Sequence, residues 1–199
     1  MPYDPTENHR RSIRLKGYDY SNSGAYFVTI CVQNRTCLFG EITKGLMQLN
    51  DAGQMVEKAW LQLPQRFPLI VTDEFVVMPN HFHGIIIITD TVGAPFVGAL
   101  AMDDSVGMGD RAGTKPAPTR ENLVLGDIVG AFKSITTHQY TIGVYQQNWV
   151  PFFKRLWQRN YYENIVRHET ALQTFRQYIR NNPRSWESDK LHSNTPSKG

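Results

Sequence analysis

The 199-residue chain is 41% hydrophobic and 20% charged, with a formal net charge of +3. That is enough apolar content for one core, and too small a basic excess to establish a nucleic-acid partner by itself. Its two cysteines, Cys31 and Cys37, exclude a disulfide framework and a paired CxxC zinc site; with no charged-then-apolar leader and no apolar run long enough to span a bilayer, the expected setting is reducing and cytoplasmic.

Residues 1–20 read as a basic arm. Arg10, Arg11, Arg14 and Lys16 precede Tyr18 and Tyr20, and cations interleaved with aromatics suit a phosphate backbone and unstacked bases as well as they suit a solvated terminus. From Ala25 to Val32 the residues are β-branched or aromatic almost throughout, which predicts the first strand. A loop follows at Asn34-Arg35 and Gly40, with Leu38 and Phe39 packing back on the core. Asn50 is a fitting N-cap for a helix carrying Met55, Ala59 and Leu63 that stops at Pro64. Leu69–Met78 reads as a second strand, punctuated by Pro79-Asn80 and pairing as a hairpin with the strand after it.

That next strand starts within Met78-Pro79-Asn80-His81-Phe82-His83-Gly84 and runs into Ile85-Ile86-Ile87-Ile88. Its near-continuous apolar character predicts a central position. Residues two apart share a face, so His81 and His83 stand side by side while Phe82 turns away into packing. Two neutral imidazoles are two-thirds of a three-ligand metal site. A bare His-x-His equally describes one hydrogen-bonded core histidine beside a surface one.

Composition changes at about 90–122, where glycine, proline and small residues predict a flexible insert. A helix then runs from Leu125 with Ile128, Val129, Phe132 and Ile135 on one face; Lys133, Ser134, Thr136, Thr137 and His138 form a polar side able to lie along a nucleic acid. Phe152–Trp157 reads as the last strand and Tyr161–Arg167 as a short helical turn. The final helix spans Glu169 to Asn181 and stops before Pro183, and residues 187–199 read as a disordered tail. One domain over residues 21–186 results. Its few strands, interrupted rather than alternated by helices, predict an α+β, ferredoxin-like sandwich, an antiparallel sheet of about four main strands with helices packed on it.

On the final helix Tyr178 and Asn182 are one turn apart and share a face. Beside the histidines, a phenol and an amide oxygen would supply a nucleophile and a third ligand, a set suited to Mg2+ or Mn2+. Spacing alone also fits a half-buried aromatic and a helix C-terminal asparagine. Tyr161 and Tyr162 are rival nucleophiles. Arg159 and Arg167 are candidate phosphate contacts, as is Lys133.

The Met78–Gly84 segment, the block from Leu156 to Arg167 and the block from Phe175 to Pro183 together resemble the REP-associated tyrosine transposases, a branch of the single-tyrosine HUH (His-hydrophobe-His) transposases. Arg14–Tyr20 and Tyr26–Ile30 resemble that family's start. The resemblance covers most of the chain outside the insert and the two ends. It implies His81, His83 and Asn182 as metal ligands, Tyr178 as the catalytic tyrosine, and the HUH variant of the ferredoxin-like sandwich. It also implies single-stranded hairpin DNA as substrate, cut and rejoined through a 5′-phosphotyrosine, in a monomer more than in a dimer. Two alternatives stand beside it: a single-stranded nucleic-acid-binding module without catalysis, and a hydrolase using zinc and water on the same histidines.

Overall fold

The strand His81–Ile88 is buried along its whole length, as an unbroken apolar run requires when both faces of a sheet are covered. In the computed structural model, which describes residues 20, 22–90 and 123–192, this strand is β5. The preceding elements are β1 (Gly24–Cys31), β2 (Gly40–Thr43), β3 (Leu46–Leu49), α1 (Asp51–Leu61), α2 (Leu63–Arg66) and β4 (Ile70–Val77). After it come α3 (Leu125–Gln147), β6 (Tyr162–Val166), α4 (Glu169–Asn181) and a 3-10 helix over Asn182–Ser188.

The main sheet has the order β4-β5-β1-β6, and each neighbouring pair is antiparallel. The expected α+β sandwich is therefore present, with β5 and β1 central. Alternation along the strands gives the sheet two apolar faces. On one, Val28, Ile30, Phe82 and Ile86 pack against Val56 and Trp60 of α1 and Phe132 of α3. On the other, Ala25, Phe27, Ile85 and Ile87 pack against Leu172 and Ile179 of α4. His81 and His83 share the α4 face by parity, while Phe82 lies in the α1/α3 core.

Local signals explain most elements. Asn50 caps α1, its side chain accepting from the Gly53 amide at 2.9 Å. Pro79 carries no N–H, and its carbonyl accepts from Leu38 and Phe39, which draws those two residues onto the core. The β4 ladder slips between Thr72 and Phe75, a bulge that frees Asp73 and Glu74 to reach α4.

Several expectations are corrected. Phe152–Trp157 is not a strand: Val32 and Trp157 form an isolated bridge, and Leu156 and Trp157 are drawn into the core. Tyr162–Val166, read as a helical turn, is instead the edge strand β6 against β1. Gly40, expected in a loop, instead opens the β2–β3 hairpin, which turns at Lys44 and Gly45, both with positive φ, the geometry of a two-residue hairpin turn. The expected tail from 187 does not begin there, since the chain is placed against the sheet through His192. The arm residues Arg10, Arg11, Arg14 and Lys16, nearly all of the 90–122 insert and the last residues lie outside the described residues. Among the described residues no helix is long and apolar enough to cross a membrane.

Candidate active site

Asn80, 0% exposed, fixes the first histidine. Its Nδ2 donates to the carbonyls of Arg35 at 3.1 Å and Leu191 at 2.9 Å. Carbonyls only accept, so the amide's orientation is settled and Oδ1 faces His81 Nδ1 at 2.8 Å. His81 Nδ1 must then carry the proton, which leaves Nε2 a bare lone pair. Two register positions along, Thr29 on β1 stands opposite His83 and its Oγ1 is 2.8 Å from His83 Nδ1. Each ring is thus held through Nδ1, and each turns Nε2 towards the sheet surface beneath α4.

Asn182, the C-cap of α4 and first residue of the 3-10 helix, closes this arrangement. Its Nδ2 donates to Asp189 Oδ2 at 3.1 Å. The amide oxygen is thereby left to face inward. His81 Nε2, His83 Nε2 and Asn182 Oδ1 are all buried without a hydrogen-bond partner, and buried polar atoms ordinarily have one. Asp189 adds a carboxylate: its Oδ2 is 4.0 Å from His81 Nε2, and His81, His83 and Asp189 each offer a ligand atom within 4.8 Å of the others. Two imidazole nitrogens, an amide oxygen and a carboxylate make a donor set that fits a divalent cation.

Electrostatics agree with neutral ligands. Burial pulls the His81 pKa down to about 4, against the opposing charge of Asp189. Burial, then the neighbouring His81, depresses His83 well below the ordinary histidine value.

Tyr178 stands at the mouth, 45% exposed. Its ring is edge-on to His83, centroids 5.2 Å apart, and to Phe27 at 5.8 Å. Burial and the Asp189 charge raise its phenol above the ordinary value, with the Asn182 side chain pulling the other way. A cavity of about 490 Å3 opens here, lined among others by His83, Tyr178, Asn182, Asp189 and Tyr162. Tyr162, projecting from the β6 edge and 54% exposed, reaches the same cavity. Tyr161 does not: it is buried in the α1/α3 core.

The other sequence candidates scatter. Lys133 lies outside the cavity, its ammonium donating to the carbonyls of Gln158, Arg159 and Asn160 at 3.0, 3.3 and 3.1 Å. It also lies 5.3 Å from the Tyr161 ring centroid, and burial lowers its pKa to about 8. It staples the chain before β6. Thr136, placed on the polar face by its sequence, is buried and accepts from Trp157 Nε1 at 2.8 Å. Arg159 and Arg167 are exposed. Sequence reasoning missed Asn80, visible only as turn punctuation, and Asp189, in a segment with no periodicity to place it.

The fold is shared with a solved transposase structure. The structure of a REP-associated tyrosine transposase bound to a REP hairpin superposes with a TM-score of 0.51 at 19% identity, covering 85% of this chain and 72% of that one. A Deinococcus radiodurans protein provisionally described as a transposase matches at a TM-score of 0.44 and 15% identity, over 84% of this chain and 95% of that one. By sequence, the chain is 40% identical over 193 residues to an uncharacterized protein of Haemophilus influenzae, 96% of this chain and 97% of that one. It belongs to the same family as that protein. No protein-family model matches it.

Proposed function

We propose that the protein is a metal-dependent single-stranded DNA nicking and joining enzyme, transposase-like, acting on palindromic hairpins through a 5′-phosphotyrosine intermediate. The observation that carries this reading is the convergence of three buried, unpartnered ligand atoms, from His81, His83 and Asn182, beside a half-exposed phenol. The fold shared with a transposase whose structure was determined on a REP hairpin supports the choice of substrate.

His81, His83 and Asn182 would hold the ion, with Asp189 within reach. A divalent cation there supplies positive charge to a non-bridging oxygen of the scissile phosphate. Tyr178 Oη attacks the phosphorus in line; the P–O3′ bond breaks, and the phenolic proton ends on the 3′-hydroxyl. The environment keeps this phenol protonated at neutral pH, so the proton leaves as attack proceeds. Thr29 and Asn80 keep the imidazoles neutral and aimed. Reversal by a 3′-hydroxyl rejoins DNA with no nucleotide cofactor. Arg167 is a proposed phosphate contact, and a monomer with its active site in cis fits the Tyr178–His83 contact.

End-labelled hairpin DNA incubated with Mn2+ or Mg2+ and analysed on a denaturing gel tests the reading. A metal-dependent covalent band, lost in Tyr178→Phe and kept in Tyr162→Phe, is expected. Because Tyr162 lines the same cavity, the reverse pattern would make it the nucleophile. Cleavage without any covalent species would indicate a water-using hydrolase, and binding without cleavage a non-catalytic module.

A further inference from the structure

The helix layer on the side of the sheet opposite the histidines carries a groove, beside α3, that the reaction above does not use. Two cavities of about 470 and 450 Å3 lie along the outer side of α3 and share Ser134 and His138 in their walls. Ser134 and His138 face outward on α3 between them, so the two cavities flank the helix, and the first lies between α3 and the segment 154–159.

Its charge is one-sided. Lys154, Arg155 and Arg159 line the first cavity and Arg66 the second, with no Asp or Glu in either lining. Lys154, Arg155 and Arg159 are exposed, and among the described residues none of them is in an ion pair. Phe153, 69% exposed, projects from the same segment with Lys154 Nζ 4.9 Å from its ring centroid. An exposed ring flanked by unpaired cations is the arrangement that stacks a base while neighbouring side chains hold phosphates.

The groove and the active cavity are joined by the chain itself. Gln158 and Arg159 line the groove, Tyr162 lines the active cavity, and Lys133 pins the carbonyls of residues 158–160 between them. This short bridge leads directly into β6, the edge strand of the sheet.

We propose that the α3 groove is a second subsite for the DNA strand. It would receive the single-stranded segment that continues from the scissile phosphate around the β6 edge, holding its phosphates on Arg155 and Arg159 and one base on Phe153. The proposal rests on the single-stranded DNA reading of the active cavity, but not on catalysis.

Fluorescence anisotropy on the full chain tests it, using one hairpin with no flank and with single-stranded flanks of two to eight nucleotides. Wild type gains affinity as the flank lengthens. Arg155→Ala/Arg159→Ala loses that gain, while its affinity for the unflanked hairpin is retained. The slope of log K against log salt falls by about 1.4 for two phosphates at roughly 0.7 each. An abasic flank separates the ring's role: wild type binds it more weakly than a normal flank, and Phe153→Ala does not discriminate. All three side chains are exposed, so loss of folding does not confound the result. No flank dependence in wild type, an unchanged double variant, or equal gain from a duplex flank would each overturn the proposal. A covalent band with an unchanged double variant would refute the groove alone. Lost flank dependence with no covalent band would refute the phosphotyrosine reading alone.

Discussion

Arg176 Nε donates to Asp73 Oδ1 at 3.0 Å, and Arg176 Nη2 closes a second hydrogen bond to Oδ2. The contact joins residues from α4 and from the β4 bulge, and Arg180 repeats it one turn on with Glu74, at 2.9 and 2.8 Å. Two forked ion pairs one helical turn apart fix both the height and the rotation of α4 on the sheet. Tyr178 is carried on that helix and Asn182 caps its end, so the bulge in β4 helps set where the phenol and the amide oxygen stand relative to the histidines.

The pair also predicts an acid response. Burial alone would raise the Asp73 carboxyl, but the Arg176 hydrogen bond, the Glu74 amide and the nearby guanidinium charges together hold it below the ordinary value. A carboxyl depressed in the folded state adds stability that is complete above its unfolded pKa of about 4 and is lost as pH falls through the folded value. Arg176→Met is therefore expected to lower Tm at pH 7 by about 2–4 °C, as roughly 1 kcal/mol would in a chain of this size. The deficit should shrink below about pH 4. A deficit that stays constant to pH 2 in calorimetric scans would mean that Arg176 acts by packing and not by charge.

Binding of the ion should be visible without any DNA. Three unpartnered atoms that gain a cation in the folded state only must stabilise that state, by about 2.7 kcal/mol at a hundredfold excess over Kd. Thermal scans with Mn2+ against EDTA are expected to show a Tm rise that disappears in His81→Ala and in His83→Ala. An unchanged rise in both variants would place the ion elsewhere.

Much of this was legible in the sequence. The long elements announced themselves through period and caps: β1, α1 behind Asn50, the β4–β5 pair, and α4 with its stated ends. The His81/His83 parity and the Tyr178/Asn182 turn needed only strand and helix geometry. What failed was local propensity where tertiary contact decides. Phe152–Trp157 is aromatic enough to read as a strand, yet Leu156 and Trp157 are anchored in the core and Phe153 is left outside, so the segment cannot run as a regular strand. β6 hid because its alternation covers only five residues. Asp189 was out of reach altogether, since only the 3-10 turn after Pro183 brings it back to Asn182.

Asn80 is the residue whose removal should separate ligand orientation from ligand identity. Asn80→Ala leaves both histidines in place but frees His81 to rotate or change tautomer, and strips a donor from two buried-side carbonyls. Loss of such an orienting partner typically costs 10–100-fold in metal affinity, on the order of what is expected here. Calorimetric titration with Mn2+ should show that drop for Asn80→Ala. An affinity equal to wild type would mean that packing against Trp186, with ring centroids 5.9 Å from His81, is enough to hold the imidazole.

Gly84, next to the second histidine, is held by space and not by backbone conformation. A Cβ there would lie 2.6 Å from Trp60 Cζ2 and 2.8 Å from Phe82 Cε1. Both rings are fully buried and locked against each other and Phe132, so neither can give way cheaply. Overpacking of this kind costs about 1–3 kcal/mol. Gly84→Ala is expected to lower the urea midpoint accordingly, and Gly84→Ala combined with Trp60→Phe, which shortens the opposing ring, to recover part of the loss. The clash lies on the α1/α3 side of β5 and the ligand nitrogens on the other. The Mn2+-induced Tm rise should therefore survive in Gly84→Ala; its disappearance would show that strain on one face of this strand reaches the histidines through the backbone.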